Sequence, residues 1–191
     1  MHDMTTPIPA PPVLRTARLV LRPMAGTDNH ALLAVMADPE AMRYFSSAPW
    51  STLAQADASI DNTLADYASG AALRLAITLD GSNELLGTCT LYAFHRTNRR
   101  CEIGYILGRP HWGKGYMGEA LIALLDYGFT QLALHRIEAD IDPRNLASGK
   151  LLVRLAFRPE GYMRERWIVN GEVSDSALFG LLRSDWQARA E

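Results

Sequence analysis

The sequence predicts a mixed α/β (α+β) domain built on one central sheet. Three observations predict it. Short β-like apolar runs alternate with stretches of helical periodicity. No internal repeat and no interior linker divides the chain. The 191 residues are enough for one domain with a sizeable core. Taken in order, "TARLVLRPM" reads as a strand closed by Pro23, and Thr27 or Asp28 as the cap of a helix "NHALLAVMAD" ended by Asp38-Pro39. A second helix, "STLAQADASIDNTLADYASG", has Ser51 as N-cap, apolar positions at Leu53, Ala56, Ile60 and Leu64, and Gly70 as its stop. "ALRLAITL", "ELLGTCTLYAF" and "CEIGYILG" read as three successive strands. A glycine turn then leads into the helix "GEALIALLDYGFTQ", the strand "RIEADI" and the helix "NLASGKLLVRLA". "FRPEGYMRERWIV" and "VSDSALFGLL" close the chain as a strand pair around the "NG" turn at 170–171.

Composition narrows the function classes. Residues 1–12, "MHDMTTPIPAPP", are expected to be an extended lead-in without the apolar core of a signal peptide, and residues 13–191 to be the single domain. Apolar content of 48% and charged content of 21% are those of an ordinary globular protein. A net charge of −2 gives no basic footprint for nucleic acid. No apolar run is long enough for a membrane span. Cys89 and Cys101 lie in no metal or redox spacing, which predicts reduced thiols and a cytoplasmic protein. No His/Cys/Asp/Glu spacing suggests a metal site.

The stretch that carries chemistry is "GYILGRPHWGKGYMGEALIALL", Gly104 to Leu125. Glycines between a strand and a helix leave main-chain N–H groups free for a phosphate, and the helix dipole favours the charge. Gly113, Gly115 and Gly118 satisfy G-x-G-x-x-G literally, with Glu138 about twenty residues on. A dinucleotide fold, however, needs its first glycine directly after the strand, and here "RPHW" intervenes. "GRPHWGKG" fits the P-loop until Gly115 replaces the hydroxyl residue that would hold magnesium.

A third pattern, [QR]-x-x-G-x-[GA], fits with Gly115 at its fixed glycine. The later segment "RIEADIDPRNLASGKLLVRLAFRPEGYMRERW" has Pro-x-Asn-x-x-Ser followed by Ala-Phe-x-x-Glu-Gly, at Asn145, Ser148, Phe157, Glu160 and Gly161. Together these resemble the GCN5-related N-acetyltransferases (GNAT). The opening "LRTARLVLRPM" is similar to the branch of RimJ/RimL-like protein N-terminal acetyltransferases. The likeness runs from Leu14 to Trp186. Two positions depart from the motif, Trp112 in place of Gln or Arg and Met117 in place of Gly or Ala.

The resemblance implies a GNAT fold: a mixed, mostly antiparallel sheet with helices on both faces and two splayed parallel strands, "CEIGYIL" and "RIEADI", holding acetyl-CoA. It implies that Tyr105, Ile106 and Leu107 present a strand edge to the pantetheine. The amides of Trp112, Gly113, Lys114, Gly115, Tyr116, Met117 and Gly118 would meet the diphosphate, and Asn145 and Ser148 would lie along the arm. It offers Glu102 as general base, with Asp140 as the alternative, and Ser148 as the acid that protonates the leaving thiolate. Asn145 and Ser148 also suit plain helix capping. The implied reaction is acetyl transfer from acetyl-CoA to a primary amine, most readily a protein N-terminal α-amine of the ribosomal-protein-alanine or -serine kind. A small amine (amino acid, polyamine or aminoglycoside) is the alternative, and a non-catalytic acyl-CoA-binding module a second. "AMRYFSSAPWS" is expected to line the acceptor pocket, "HRTNRR" to be a basic loop, and the chain to act as monomer or homodimer without metal.

Overall fold

The structure, a computed structural model, describes residues 10–189; of the expected lead-in, residues 1–9 lie outside the described residues. One eight-stranded sheet organises the chain. Its strands are β1 (Leu14–Arg15), β2 (Leu19–Pro23), β3 (Leu73–Leu79), β4 (Leu85–His95), β5 (Arg100–Leu107), β6 (Arg136–Ile141), β7 (Arg158–Val169) and β8 (Glu172–Leu182), in the spatial order β1-β2-β3-β4-β5-β6-β8-β7. All neighbours are antiparallel except β5 and β6, the strands expected to be parallel. The helices are α1 (Asn29–Met36), α2 (Pro39–Met42), α3 (Leu53–Ser69), α4 (Tyr116–Thr130), α5 (Leu146–Arg154) and α6 (Arg183–Ala188).

Helices cover both faces, and each face has its own core. On one, Leu121, Leu124 and Phe129 of α4 and Leu152 of α5 pack with Leu75, Leu91 and Ile103 of the sheet. On the other, Leu32 and Val35 of α1 and Ile60 of α3 pack with Ala76 and Ile106. Successive strand residues point to opposite faces, so Ile103 and Ile106 of β5 serve different cores.

Local chemistry explains where the elements begin. α3 is capped by Thr52 rather than the expected Ser51, because Gln55 accepts the amides of both Ser51 (2.8 Å) and Thr52 (3.0 Å) in a capping box one residue further on. Asp38 accepts the Glu40 amide at 2.9 Å and, with Pro39 at the first helical position, starts the short α2, so α1 ends earlier, at Met36. Asp28 does precede α1, but its carboxylate bonds the Ala25 amide (2.8 Å) and Arg22 (2.7 Å) rather than the helix. Asn170 and Gly171 both have positive φ (50° and 83°), the geometry of the tight turn expected between β7 and β8. β1, α2 and α6 go beyond the expected elements. α6 is fixed by Trp186, which donates to Asp126 at 2.6 Å and stacks on Phe129.

One glycine sets the position of β5. The β3–β4 register slips between Ile77 and Thr78, beside Gly87. A Cβ on Gly87 would overlap the Ile106 carbonyl oxygen and lie 2.8 Å from Leu107 Cα. Both obstacles are main chain, so relief requires β5 to move. Gly87→Ala is expected to destabilise the protein by about 2–3 kcal/mol, whereas Gly26→Ala, where a Cβ meets nothing within 4 Å, stays within about 0.5 kcal/mol. Urea-unfolding midpoints of the two variants check this.

Candidate active site

The site begins where β5 and β6 part. They pair at only three positions, Arg100↔Arg136, Cys101↔Ile137 and Glu102↔Glu138, although β5 runs on to Leu107 and β6 to Ile141. Each strand is held on its outer side, β5 by β4 and β6 by β8. The inner edges therefore diverge with main-chain groups turned into the gap. Gly108 donates to the Leu86 carbonyl at 2.8 Å, which fixes the phase of the β4–β5 ladder. By the alternation of an antiparallel pair, the main-chain groups of Tyr105 and Leu107 face the gap, and those of Ile106 face β4.

The glycine turn continues this edge. Gly113 (φ 73°) and Gly115 (φ 79°) take the left-handed conformation, and Gly115 is the N-cap of α4. That places the helix start at Tyr116, two residues before the expected Gly118, and the amides of its first turn have no intrahelical acceptors. Residues 112–115 are exposed. Met117, one of the two departures from the motif, packs against the α4–α5 core, which leaves the turn clear of its side chain, and Tyr116 packs there too. Trp112 donates its indole N–H to the Leu107 carbonyl at 2.7 Å, tying the turn to the end of β5.

A clamp that sequence reasoning missed braces the turn from behind. Arg18 donates to the Lys114 carbonyl (3.0 Å) and to Glu119 (2.7 Å), and lies over the Tyr116 ring. Thr16 donates to the same Glu119 carboxylate at 2.6 Å, and the Arg18 amide does so at 2.8 Å. Burial alone would raise Glu119, but Thr16 and Arg18 together hold its carboxyl below the usual carboxylate range.

Beside the gap lies an open cleft of about 910 Å³, which brings together Glu102, Tyr105, Asp140, Asn145 and Ser148. Ser148 sits in the first turn of α5, where its amide bonds the Asn145 side chain at 3.1 Å, so Asn145 does cap this helix. The Ser148 hydroxyl is 2.7 Å from the Tyr105 hydroxyl. Burial pushes the Tyr105 phenol up to about 12, with the Ser148 bond working the other way, so it keeps its proton near neutrality. Glu102 lies directly across from Tyr92 on β4, whose phenol is raised by burial and then by the Glu102 carboxylate. Asp140 is engaged by Arg166 at 3.1 Å, and its other oxygen is buried without a hydrogen-bond partner among the described residues. The segment 42–50 lines the opposite wall, where acceptor contacts were expected. The basic loop 95–100 is partly occupied: Arg100 pairs with Glu138 at 2.7 Å and Arg96 bonds the Gly70 carbonyl. Cys89 and Cys101 are free and fully buried, and burial raises both thiols. Among the described residues no helix is long and apolar enough to cross a membrane.

A family model described as an acetyltransferase (GNAT) domain matches residues 18–158, the span from the Arg18 clamp to the first residue of β7. The chain belongs to the GNAT family. An uncharacterized N-acetyltransferase of Bacillus licheniformis, p20, is 40% identical over 91% of this chain and 97% of its own. The [ribosomal protein uS5]-alanine N-acetyltransferase of Escherichia coli is 41% identical over 45% of this chain and 44% of its own, and a spermidine N(1)-acetyltransferase of Vibrio cholerae is 25% identical over 92% and 99%. The crystal structure of a GNAT-family acetyltransferase from Bacillus anthracis superposes with a TM-score of 0.80 at 25% identity, covering 91% of this chain and 99% of that one. The chain is thus an N-acyltransferase with the GNAT fold.

In this GNAT domain the Glu119 clamp has a definite pH signature. Its carboxyl is lowered in the folded state, so its contribution is present above the unfolded value of about 4.3 and is lost as pH falls through the folded value. Glu119→Gln is expected to cost about 1–2 kcal/mol at pH 7, and the gap from the parent to shrink below about pH 4. Urea unfolding at pH 7 and pH 3.5 measures both.

Proposed function

We propose that the protein transfers the acetyl group of acetyl-CoA to a primary amine, with a protein N-terminal α-amine as the leading acceptor. The observation that carries this reading is the continuous main-chain edge running from the parted end of β5 through the turn at 113–118. Such an edge suits a pantetheine arm laid in as an added strand and a diphosphate on the helix start. Asn145 and Ser148 border the far side of the same gap, where they support contact with the arm.

One proton must leave the amine and one must reach sulfur. At pH 7 an α-amine, with a pKa near ~7.7–8.0, loses its proton at a cost of about 1 kcal/mol, whereas a lysine, near ~10.4, costs about 4–5 kcal/mol. A weak base therefore suffices for the former. Glu102 is better placed for the task than Asp140, which Arg166 already holds. The neutral amine attacks the thioester carbonyl, an N–H at the β5 edge stabilises the developing oxyanion, and the C–S bond breaks. The thiolate then takes a proton from the Tyr105–Ser148 pair. The pair extends the expected role of Ser148: the phenol stays protonated at neutral pH, and the serine hydroxyl, bonded to it, relays a proton.

The relation to a spermidine acetyltransferase along nearly the whole chain favours a small amine as the second reading. Glu102→Gln is expected to lower kcat by about 10²-fold with acetyl-CoA binding unchanged. Tyr105→Phe and Ser148→Ala should each lower kcat without abolishing binding. Release of CoA thiol with short peptides and free amines reads these effects. Turnover on peptides but not on free amines supports the leading acceptor, and the reverse supports the second reading.

A further inference from the structure

Four arginines line the cleft: Arg43, Arg74, Arg144 and Arg166. Three are matched by carboxylates, Arg43 by Glu40 at 4.0 Å, Arg144 by Asp142 at 2.6 Å and Arg166 by Asp140 at 3.1 Å. Arg74 differs. Among the described residues its guanidinium donates one hydrogen bond, to the Ser59 hydroxyl at 2.9 Å, and no carboxylate lies within ion-pairing distance. It is half-buried in β3, on the face of the sheet that lines the cleft. Burial lowers its pKa, against the opposing pull of Tyr67 and Asp66. A cation held in this way without a counter-ion is costly to the free protein.

Its position gives that cost a use. Arg74 pairs with Thr90, and Thr90 with Gly104, so the three share one face of the sheet across β3, β4 and β5. The neighbouring row on that face ends in Tyr92 and Glu102. Gly104 contributes no side chain, and the Tyr92 ring edge lies 3.3 Å from where its Cβ would stand, so the ring of Tyr92 covers the floor of the cleft there. Two strand spacings, roughly 10 Å, separate the backbone of Arg74 from that of Gly104, and the arginine side chain shortens the gap. This face of the sheet thus has a cation on β3 and, one row along on β5, the proposed base.

We propose that Arg74 is an anion anchor for the acceptor: the preferred substrate carries a carboxylate a few bonds from its reacting amine, the carboxylate paired with Arg74 and the amine turned toward Glu102. This rests on the amine-acetylation reading and specifies its substrate class. The carboxylate can come from an acidic side chain near a peptide N-terminus or from a small amino acid. A polyamine, all cation, would meet Arg74 with repulsion.

Two pairs of acceptors separate these outcomes. One is a pair of short peptides identical except for Glu or Gln at the second residue. The other is lysine and 1,5-diaminopentane, which is lysine without its carboxylate. At saturating acetyl-CoA the parent protein is expected to favour the carboxylate member of at least one pair by about tenfold in kcat/KM, mainly through KM, and the responding pair identifies the source. Arg74→Gln should reduce that preference to about twofold or less while leaving the KM for acetyl-CoA unchanged, and Arg74→Lys should keep part of it. Turnover of both members of each pair at equal efficiency, or a preference that survives Arg74→Gln, overturns the anchor alone. Absence of turnover on all four acceptors overturns the amine-acetylation reading and the anchor with it. If the Arg74→Gln protein does not fold, Arg74→Lys carries the comparison: a preference left at its full parent value in that variant overturns the anchor, as does equal turnover of both members of each pair by the parent.

Discussion

Two strands that are held on their outer sides and released on their inner sides create the site. β5 is tied to β4 along its length, and β6 to β8, but β5 and β6 share only three paired positions before they separate. Main-chain donors and acceptors at a parted inner edge are a liability unless something pairs with them. In this fold the same divergence opens the cleft, exposes the β5 edge and aims it at the turn that begins α4. Gly87 bears on the outcome from a distance, because any side chain there would push β5 away from β4.

In the proposed reaction the molecule divides its labour around this opening between a donor side and an acceptor side. The donor side is mainly backbone: the edge of β5, the exposed turn at 112–115 and the start of α4. Its side chains work as braces. Trp112 fastens the turn to Leu107, and Arg18 and Thr16 fasten α4 to the start of the sheet through Glu119. The acceptor side is side chains: Tyr92 and Glu102 on the floor, the segment 42–50 on one wall, and Arg166 and Trp167 on the other. Charges there are mostly paired, which makes Arg74 stand apart: among the described residues no carboxylate lies within ion-pairing distance of it.

Much of this was legible in the sequence, for identifiable reasons. The longer strands announce themselves by short apolar runs bounded by turn residues, and "NG" at 170–171 announces its turn. The glycines at 113 and 115 mark left-handed residues, as the φ values show. What escaped was short or non-local. β1 has two residues and α2 four, too few to show a period. The cap at Thr52 rather than Ser51 depends on which amides Gln55 reaches. Thr16 and Arg18 stand out in the opening motif, but their partner Glu119 lies about a hundred positions away, and nothing local links them. The Tyr105 hydroxyl escaped for the same reason: its strand was legible, but its contact with Ser148 spans 43 positions.

A donor seat made of peptide groups places few demands on side-chain identity. Trp112 and Met117 illustrate this, since both depart from the usual motif residues while the glycine geometry survives. The acceptor walls of the proposed reaction, by contrast, come from separate segments, of which 42–50 places Met42, Phe45 and Trp50 on the second core while 166–174 supplies no residue to either. Loop exchange between relatives could therefore redirect this scaffold to new amines while its coenzyme grip stays untouched, a built-in route to functional diversification.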